Sequence, residues 1–256
     1  MKQKSFKMSS LAESRLLRIS SKDRADASRS RYNIDFRTND NELHQISRIV
    51  LKSIVVPNTQ YNINLHTNTL YLPTSLSEVT KYTIKPGQYK TNDLITELKK
   101  VVNDTVGGGL NITQDPISFL LTLSVTAGTM DIYKENNPMA FILGIESEQK
   151  ATNIYECEKL PNLSGLNHIY ISSQALSNHT QMVTSLQNKQ NVFADVTVKV
   201  CFGQIQYTDE DTNSLDYVVF HGKKNISKID IQLLDDWNNE LDLNGRDWTL
   251  VFRIYK

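Results

Sequence analysis

Residues 228–256 read KIDIQLLDDWNNELDLNGRDWTLVFRIYK. Ile229, Ile231 and Leu233 alternate with polar residues at the start; Trp248, Leu250, Phe252 and Ile254 do so at the end. A period of two puts each set on one face of a β-strand. Between them lie Asp235, Asp236, Glu240, Asp242 and Asp247, five carboxylates that suit a metal cage, an acid/base pair or a polar turn between two strands. An EF-hand calcium loop needs glycine at its sixth position and a bidentate glutamate at its twelfth. Counted from Asp236, those positions hold Leu241 and Asp247. Without the glycine that turns the loop sharply, the segment is expected to be a hairpin. Strand 229–234 enters a solvated polar turn, Asn244-Gly245 supplies positive φ, and strand 248–255 returns.

Outward from this segment the chain keeps the period of a β-protein. Tyr32, Ile34 and Phe36 alternate in RYNIDFRT (31–38); RIVLKSIVV (48–56) ends at Pro57, where a ladder donor disappears. Phe119, Leu121, Leu123 and Val125 share a face in SFLLTLSV, NHIYIS (167–172) is a short strand, and Val196, Val198, Val200 and Phe202 alternate in ADVTVKVCF. Such strands, widely separated by loops, predict an antiparallel sandwich. Leu94, Ile95, Leu98, Val101 and Val102 form one stripe of a helix over 91–104. A second, short helix is expected at NPMAFILGI (137–145), with Pro138 at its first position and Gly144 ending it.

Charge is unevenly distributed. The whole chain of 256 residues is neutral, with 39% hydrophobic and 22% charged residues. It has no general bias towards nucleic acid or anionic membrane, and no apolar run long enough to span a bilayer. The first 31 residues, however, hold nine basic and three acidic side chains, and the remainder is correspondingly acidic. They show no apolar signal-peptide core. Residues 1–29 are expected to form a flexible basic arm, with Arg15, Arg18, Lys22, Arg24 and Arg29 as its partner contacts, ahead of a single domain over 30–256 with long loops or an insertion in its middle. Within the arm, LAESRLLRIS (11–20) suits a short strand or a turn or two of helix.

Signals of catalysis are weak. His44, His66, His168, His179 and His221 show no metal-binding spacing, and Cys157 and Cys201 rule out a zinc site built mainly of cysteine. Nothing marks either thiol as an activated nucleophile, so inert cysteines are expected. Gly107-Gly108-Gly109 precedes a strand and has no lysine after it, which makes it a loop rather than a phosphate cradle. No cofactor, metal or catalytic residue is expected.

Five segments together resemble the penton (vertex) capsid proteins of double-jelly-roll DNA viruses, a group that includes virophages, polinton-like viruses and nucleocytoplasmic large DNA viruses. They are SRSRYNIDFRT (28–38), RIVLKSIVVPNTQYNIN (48–64), YTIKPGQYKTNDLITELKKVVND (82–104), MAFILGI (139–145) and residues 226–256. A turn similar to I-P-N-S/T-x-Y-N-I is matched by Pro57, Asn58, Thr59, Tyr61, Asn62 and Ile63. An I-x-x-G-x-Y strand feeding a helix is matched by Ile84, Gly87 and Tyr89 ahead of Leu94 and Leu98. The ending L-D-L-N-G, then D-W-x-L, is matched by Leu241–Gly245 and Asp247–Leu250. The match covers about half the chain, little of it within 146–228, and DDWNNE stands where the family often has an aspartate-plus-glycine turn.

The resemblance implies a jelly roll without catalytic activity and a homopentamer at the vertices of an icosahedral virion. It also implies contacts with neighbouring major capsid capsomers, with minor capsid proteins or encapsidated DNA beneath the vertex, and assembly inside a host cell. Two alternatives come from other classes. One is a jelly-roll spike or attachment module that binds a ligand or carbohydrate, with Tyr155 and Trp237 as candidate contacts. The other is a β-sandwich enzyme using Asp235, Asp236 and Asp242, for which no histidine or second carboxylate motif completes a site.

Overall fold

A computed structural model describes residues 14–23, 31–35, 43–75, 81–106, 109–176, 191–209 and 217–256. In chain order, strands β1 (Ser14–Ser20), β2 (Arg31–Asp35) and β3 (Leu43–Pro57) come first. Then follow β4 (Thr69–Tyr71), β5 (Lys81–Thr83), helix α1 (Thr91–Val106), β6 (Leu110–Gln114), β7 (Leu121–Val125), β8 (Met130–Ile132), helix α2 (Ala140–Leu143), β9 (Gln149–Thr152) and β10 (Ile154–Glu156). The last group is β11 (His168–Ser172), β12 (Val192–Thr197), β13 (Ile205–Asp209), β14 (Tyr217–Ile226), β15 (Lys228–Leu234) and β16 (Thr249–Tyr255). Two compact units divide this list, one from residues 1–60 and 166–256, the other from residues 61–165.

The first unit is a jelly-roll sandwich. One sheet has the order β1-β16-β3-β13, with β14 following β13 along the same edge of β3; the other has the order β12-β11-β15-β2. Counting β13 and β14 as one interrupted strand, the unit's eight strands are shared equally by two antiparallel sheets in jelly-roll order, and every consecutive pair but β11 and β12 crosses from one sheet to the other. Alternation supplies the core. Ile19, Ile49, Leu51, Ile54, Leu250, Phe252 and Ile254 from one sheet join Ile169, Ile171, Val196, Ile229, Ile231 and Leu233 from the other in one buried cluster. Trp248 closes it, 1% exposed, with Tyr32 edge-on at 6.4 Å.

The second unit has its own core. Leu94, Ile95, Leu98 and Val102 of α1 pack with Leu110, Ile112, Leu121, Leu123, Ile142 and Leu143. The α1 stripe is thus as its 3.6-residue spacing predicts. Gly144 ends α2 at φ 82°, a conformation open to glycine at little cost. A Cβ there would lie 2.0 Å from the Lys159 carbonyl oxygen, so the close approach also demands glycine.

Several expectations need correction. Strands 229–234 and 249–255 do not pair as a hairpin: β15 pairs with β11 and β2, and β16 with β1 and β3. The acidic segment carries the chain from one sheet to the other. Both strands need a buried face, and facing each other across the core satisfies both. Phe119 lies in the β6–β7 turn, exposed, at φ 59°, and not on the strand. The strand expected through Phe202 ends at Thr197. Pro138 precedes the N-cap Met139 of α2, so it lies outside the helix.

The arm expected over 1–29 does not hold at residues 14–23. Ser14–Ser20 forms β1 in full register with Tyr255–Thr249, and Ser21–Asp23 makes a 3₁₀ turn. Leu17 and Ile19 face the core, which gives this segment the apolar face that its basic composition obscured. Residues 1–13 and 24–30, including Arg24 and Arg29, lie outside the described residues.

Candidate interaction surfaces

The motifs that stand out in the sequence are backbone staples. Asn58 donates its side-chain N–H to the Val200 carbonyl at 2.8 Å, and Thr59 Oγ1 donates to the Leu243 carbonyl at 2.7 Å. Gln60 Oε1 accepts the Asp242 N–H at 3.3 Å, and the Asn244 side chain donates to the Thr59 carbonyl. The turn after β3 is thereby tied to the L-D-L-N-G segment, about 180 residues away in sequence. In the second unit, Asn62 Oδ1 accepts the Tyr89 N–H at 2.9 Å and Asn62 Nδ2 donates to the Tyr89 carbonyl at 2.8 Å. Ile63 and Gly87 exchange two backbone hydrogen bonds beside them. Asn62 can do this because one side-chain amide both donates and accepts.

The five carboxylates have divergent tasks. Asp235 is fully buried and accepts the N–H groups of Trp237 at 2.9 Å and Asn239 at 2.8 Å, the Asn239 side chain at 3.3 Å and the Gln60 amide at 3.4 Å. Asp236 Oδ2 accepts the Asn167 N–H, Asp242 Oδ1 accepts the Asn244 N–H, and Glu240 Oε1 accepts the Gln232 amide. Asp247 accepts the Ser21 hydroxyl at 2.8 Å, while Ser21 Oγ accepts the Trp248 N–H at 3.0 Å. Among the described residues no three His, Cys, Asp or Glu side chains are grouped to hold a metal ion. The expectation of a wholly solvated turn fails at Asp235. Its burial went unforeseen because aspartate is rarely buried, and only its Asx-turn chemistry hinted at the role.

Of the predicted partner residues, the three that are described lie at one border of the sandwich. Arg15 and Arg18 are exposed on β1, the edge strand of its sheet, and Lys22 is exposed in the turn after it. On the outer face of the same sheet, Arg48 lies 4.2 Å over the Tyr255 ring. Tyr255 is held below its usual pKa chiefly by a hydrogen bond with Arg253, and also by Arg48, which marks this part of the face as cationic. On the outer face of the other sheet, burial raises the pKa of Tyr170, and Asp195 and Asp236 raise it further. His168 Nδ1 lies 2.9 Å from Asp195.

Of the two aromatic candidates for ligand binding, Tyr155 is buried and its hydroxyl donates to the Ser147 carbonyl at 3.0 Å, whereas Trp237 is exposed. Cys157 is buried and its thiol pKa is pushed up to about 12 by burial, so it has none of the features of a nucleophile. Cys201 is exposed. Among the described residues no helix is long and apolar enough to cross a membrane.

No family model and no curated protein matches the chain. Solved structures that resemble it over nearly its whole length include two from virophages. The mavirus penton protein is 9% identical, with a TM-score of 0.46 over 95% of this chain and 99% of its own. A chain of the Sputnik virophage structure is 11% identical, with a TM-score of 0.44 over 95% of this chain and 98% of its own.

Proposed function

We propose that this protein is a structural, non-enzymatic capsid protein, five copies of which form the vertex capsomer of an icosahedral virion. The observation that carries the reading is the use made of the resembling segments. Pro57–Gln60 and Leu241–Gly245, far apart in sequence, meet as the staples of a jelly roll, and Asn62, Gly87 and Tyr89 staple the unit inserted after its third strand. In the acidic segment that could have argued for catalysis, Asp235, Asp236 and Asp242 accept backbone N–H groups, and Glu240 and Asp247 accept side-chain donors. A stiff antiparallel sandwich with charged, partly apolar outer faces suits repeated side-by-side packing better than it suits turnover. Neighbouring capsomers of the major capsid protein are the expected partners of the assembled ring. Encapsidated DNA or minor capsid proteins are the expected partners of the other basic residues of the first 31, Arg24 and Arg29 among them, assembly taking place in the host cell.

The test is the mass of the purified protein by light scattering, followed by imaging of assembled particles. A species five times the 29.2 kDa of one chain, found at the vertices, is the expected result. A protein that stays monomeric and is absent from particles would overturn the reading.

A further inference from the structure

We infer that a second copy of this chain docks on the outer face of the β1-β16-β3-β13/β14 sheet, through the outer face of that copy's β12-β11-β15-β2 sheet. The inference rests on the proposed ring of copies and names the two surfaces that build it.

The first surface is apolar and basic. Register places Leu16, Arg253, Val50 and Tyr217 in one row across four strands, and Tyr255, Arg48 and Val219 in another. A third row joins Thr249, Val55 and Tyr207, with Ile205 opposite Pro57 beyond it. Leu16, Ile205, Tyr207, Tyr217 and Val219 are 46–62% exposed, a concentration of large side chains unusual for a solvent-facing sheet. Among the described residues Arg18, Arg48 and Arg253 share this face with one acid, Asp209.

The second surface is acidic. Asp195 stands exposed on its strands and Glu240 reaches Gln232 on β15, while Asp230 is half-buried and accepts the N–H groups of Gln174 and Ala175. Asp236 lies at one end beside Tyr170, and Lys228 is a fixed cation on these strands. Tyr170, Val192 and Leu234 form a small apolar cluster among them that is already buried within the chain. One sandwich thus carries opposite charge on opposite faces. Two copies can satisfy both only head to tail, with different faces in contact, and such heterologous contacts close into rings when the rotation between copies permits. Complementary charge sets partner choice and register, while the exposed tyrosines and aliphatic side chains of the first face supply apolar contact.

The experiment reverses charge face by face in the full chain. Arg18→Glu/Arg48→Glu alters the first face and Asp195→Lys/Glu240→Lys the second; self-association is read by sedimentation at about 0.1 M salt. Each pair alone is expected to weaken association at least tenfold, and the chain carrying all four to regain it. Circular dichroism and unfolding midpoints check folding. Should a charge variant fail to fold, Tyr217→Ser/Ile205→Ser, at two exposed positions, replaces it with the same expected tenfold loss. Loss in both pairs without rescue in the fourfold variant overturns the pairing of these faces. If either pair assembles like the parent, the inference falls and the five-copy reading survives on another surface. If the first pair assembles normally but no longer retards duplex DNA, the face belongs to nucleic acid and the inference falls. A parent that never associates overturns the five-copy reading, and this inference with it.

Discussion

Asp235 accepts hydrogen bonds from two backbone N–H groups and two side-chain amides while having no exposed surface. Asp235→Ala leaves those donors without this acceptor, at about 1–3 kcal/mol for each that water does not reach. Asp236→Asn and Asp242→Asn keep an acceptor oxygen at more accessible positions and should change stability by less than about 0.5 kcal/mol. Urea unfolding of the three variants checks the contrast; equal losses would refute it. Trp248→Ala should cost about 3–5 kcal/mol as a core truncation. Glu146 differs, because it is half-buried and its pKa is lowered to about 2 by hydrogen bonds from Lys134 and then Lys159, both at 2.8 Å. A depressed carboxyl pKa stabilises the fold above the unfolded value of 4.5 and loses that contribution as pH falls through about 2. Glu146→Gln should therefore flatten part of the decline in melting temperature between those two pH values. An unchanged decline would show that the lysines do not hold Glu146 in solution.

At the scale of elements, β1 and α2 make opposite demands on sequence. Strand β1 is held by its register with β16 and by Ser21, whose N–H donates to the Trp248 carbonyl at 3.0 Å while its hydroxyl bridges Asp247 and the Trp248 N–H. Removing residues 1–23 should therefore lower the unfolding midpoint clearly, and Ser21→Ala should cost about 1–3 kcal/mol for the orphaned buried donor. A midpoint unchanged by the truncation would return the segment to the status of an arm. The short α2 depends on its end: Gly144→Ala combines a strained φ with a clash against the Lys159 carbonyl, so it should exceed the usual cost of a helix-end substitution and destabilise by more than about 1 kcal/mol. Thermal unfolding of that variant reads the effect.

For the molecule as a whole, zero net charge conceals an uneven distribution. Contacts between charged faces should weaken as salt rises, because exposed charges are screened beyond about 8 Å at physiological ionic strength. The expected outcome is an association constant that falls steadily between low and high salt, measured by sedimentation. A constant that rises with salt would indicate contacts dominated by apolar surface.

Strand identity was legible in residues 228–256 because side-chain period is a local property: Ile229, Ile231 and Leu233, like Leu250, Phe252 and Ile254, are buried as their spacing predicts. The stripe of α1 and the glycine end of α2 were legible for the same reason. Which strands pair is a different matter. The polar connection from Asp235 to Asp247 is equally compatible with a hairpin and with a crossing between sheets, and only the shared core of β15 and β16 selects the crossing. Composition made residues 14–23 look like a tail, although Leu17 and Ile19 suffice to seat them once β16 offers an edge. The same holds for the surfaces. Leu16, Tyr217, Arg48 and Arg253 are scattered through the chain and become one face only through register. Sequence by itself determined which side chains point away from their neighbours along each strand. Tertiary structure alone decided what lies beside them, because hydrogen bonds between strands join residues that chain order keeps apart.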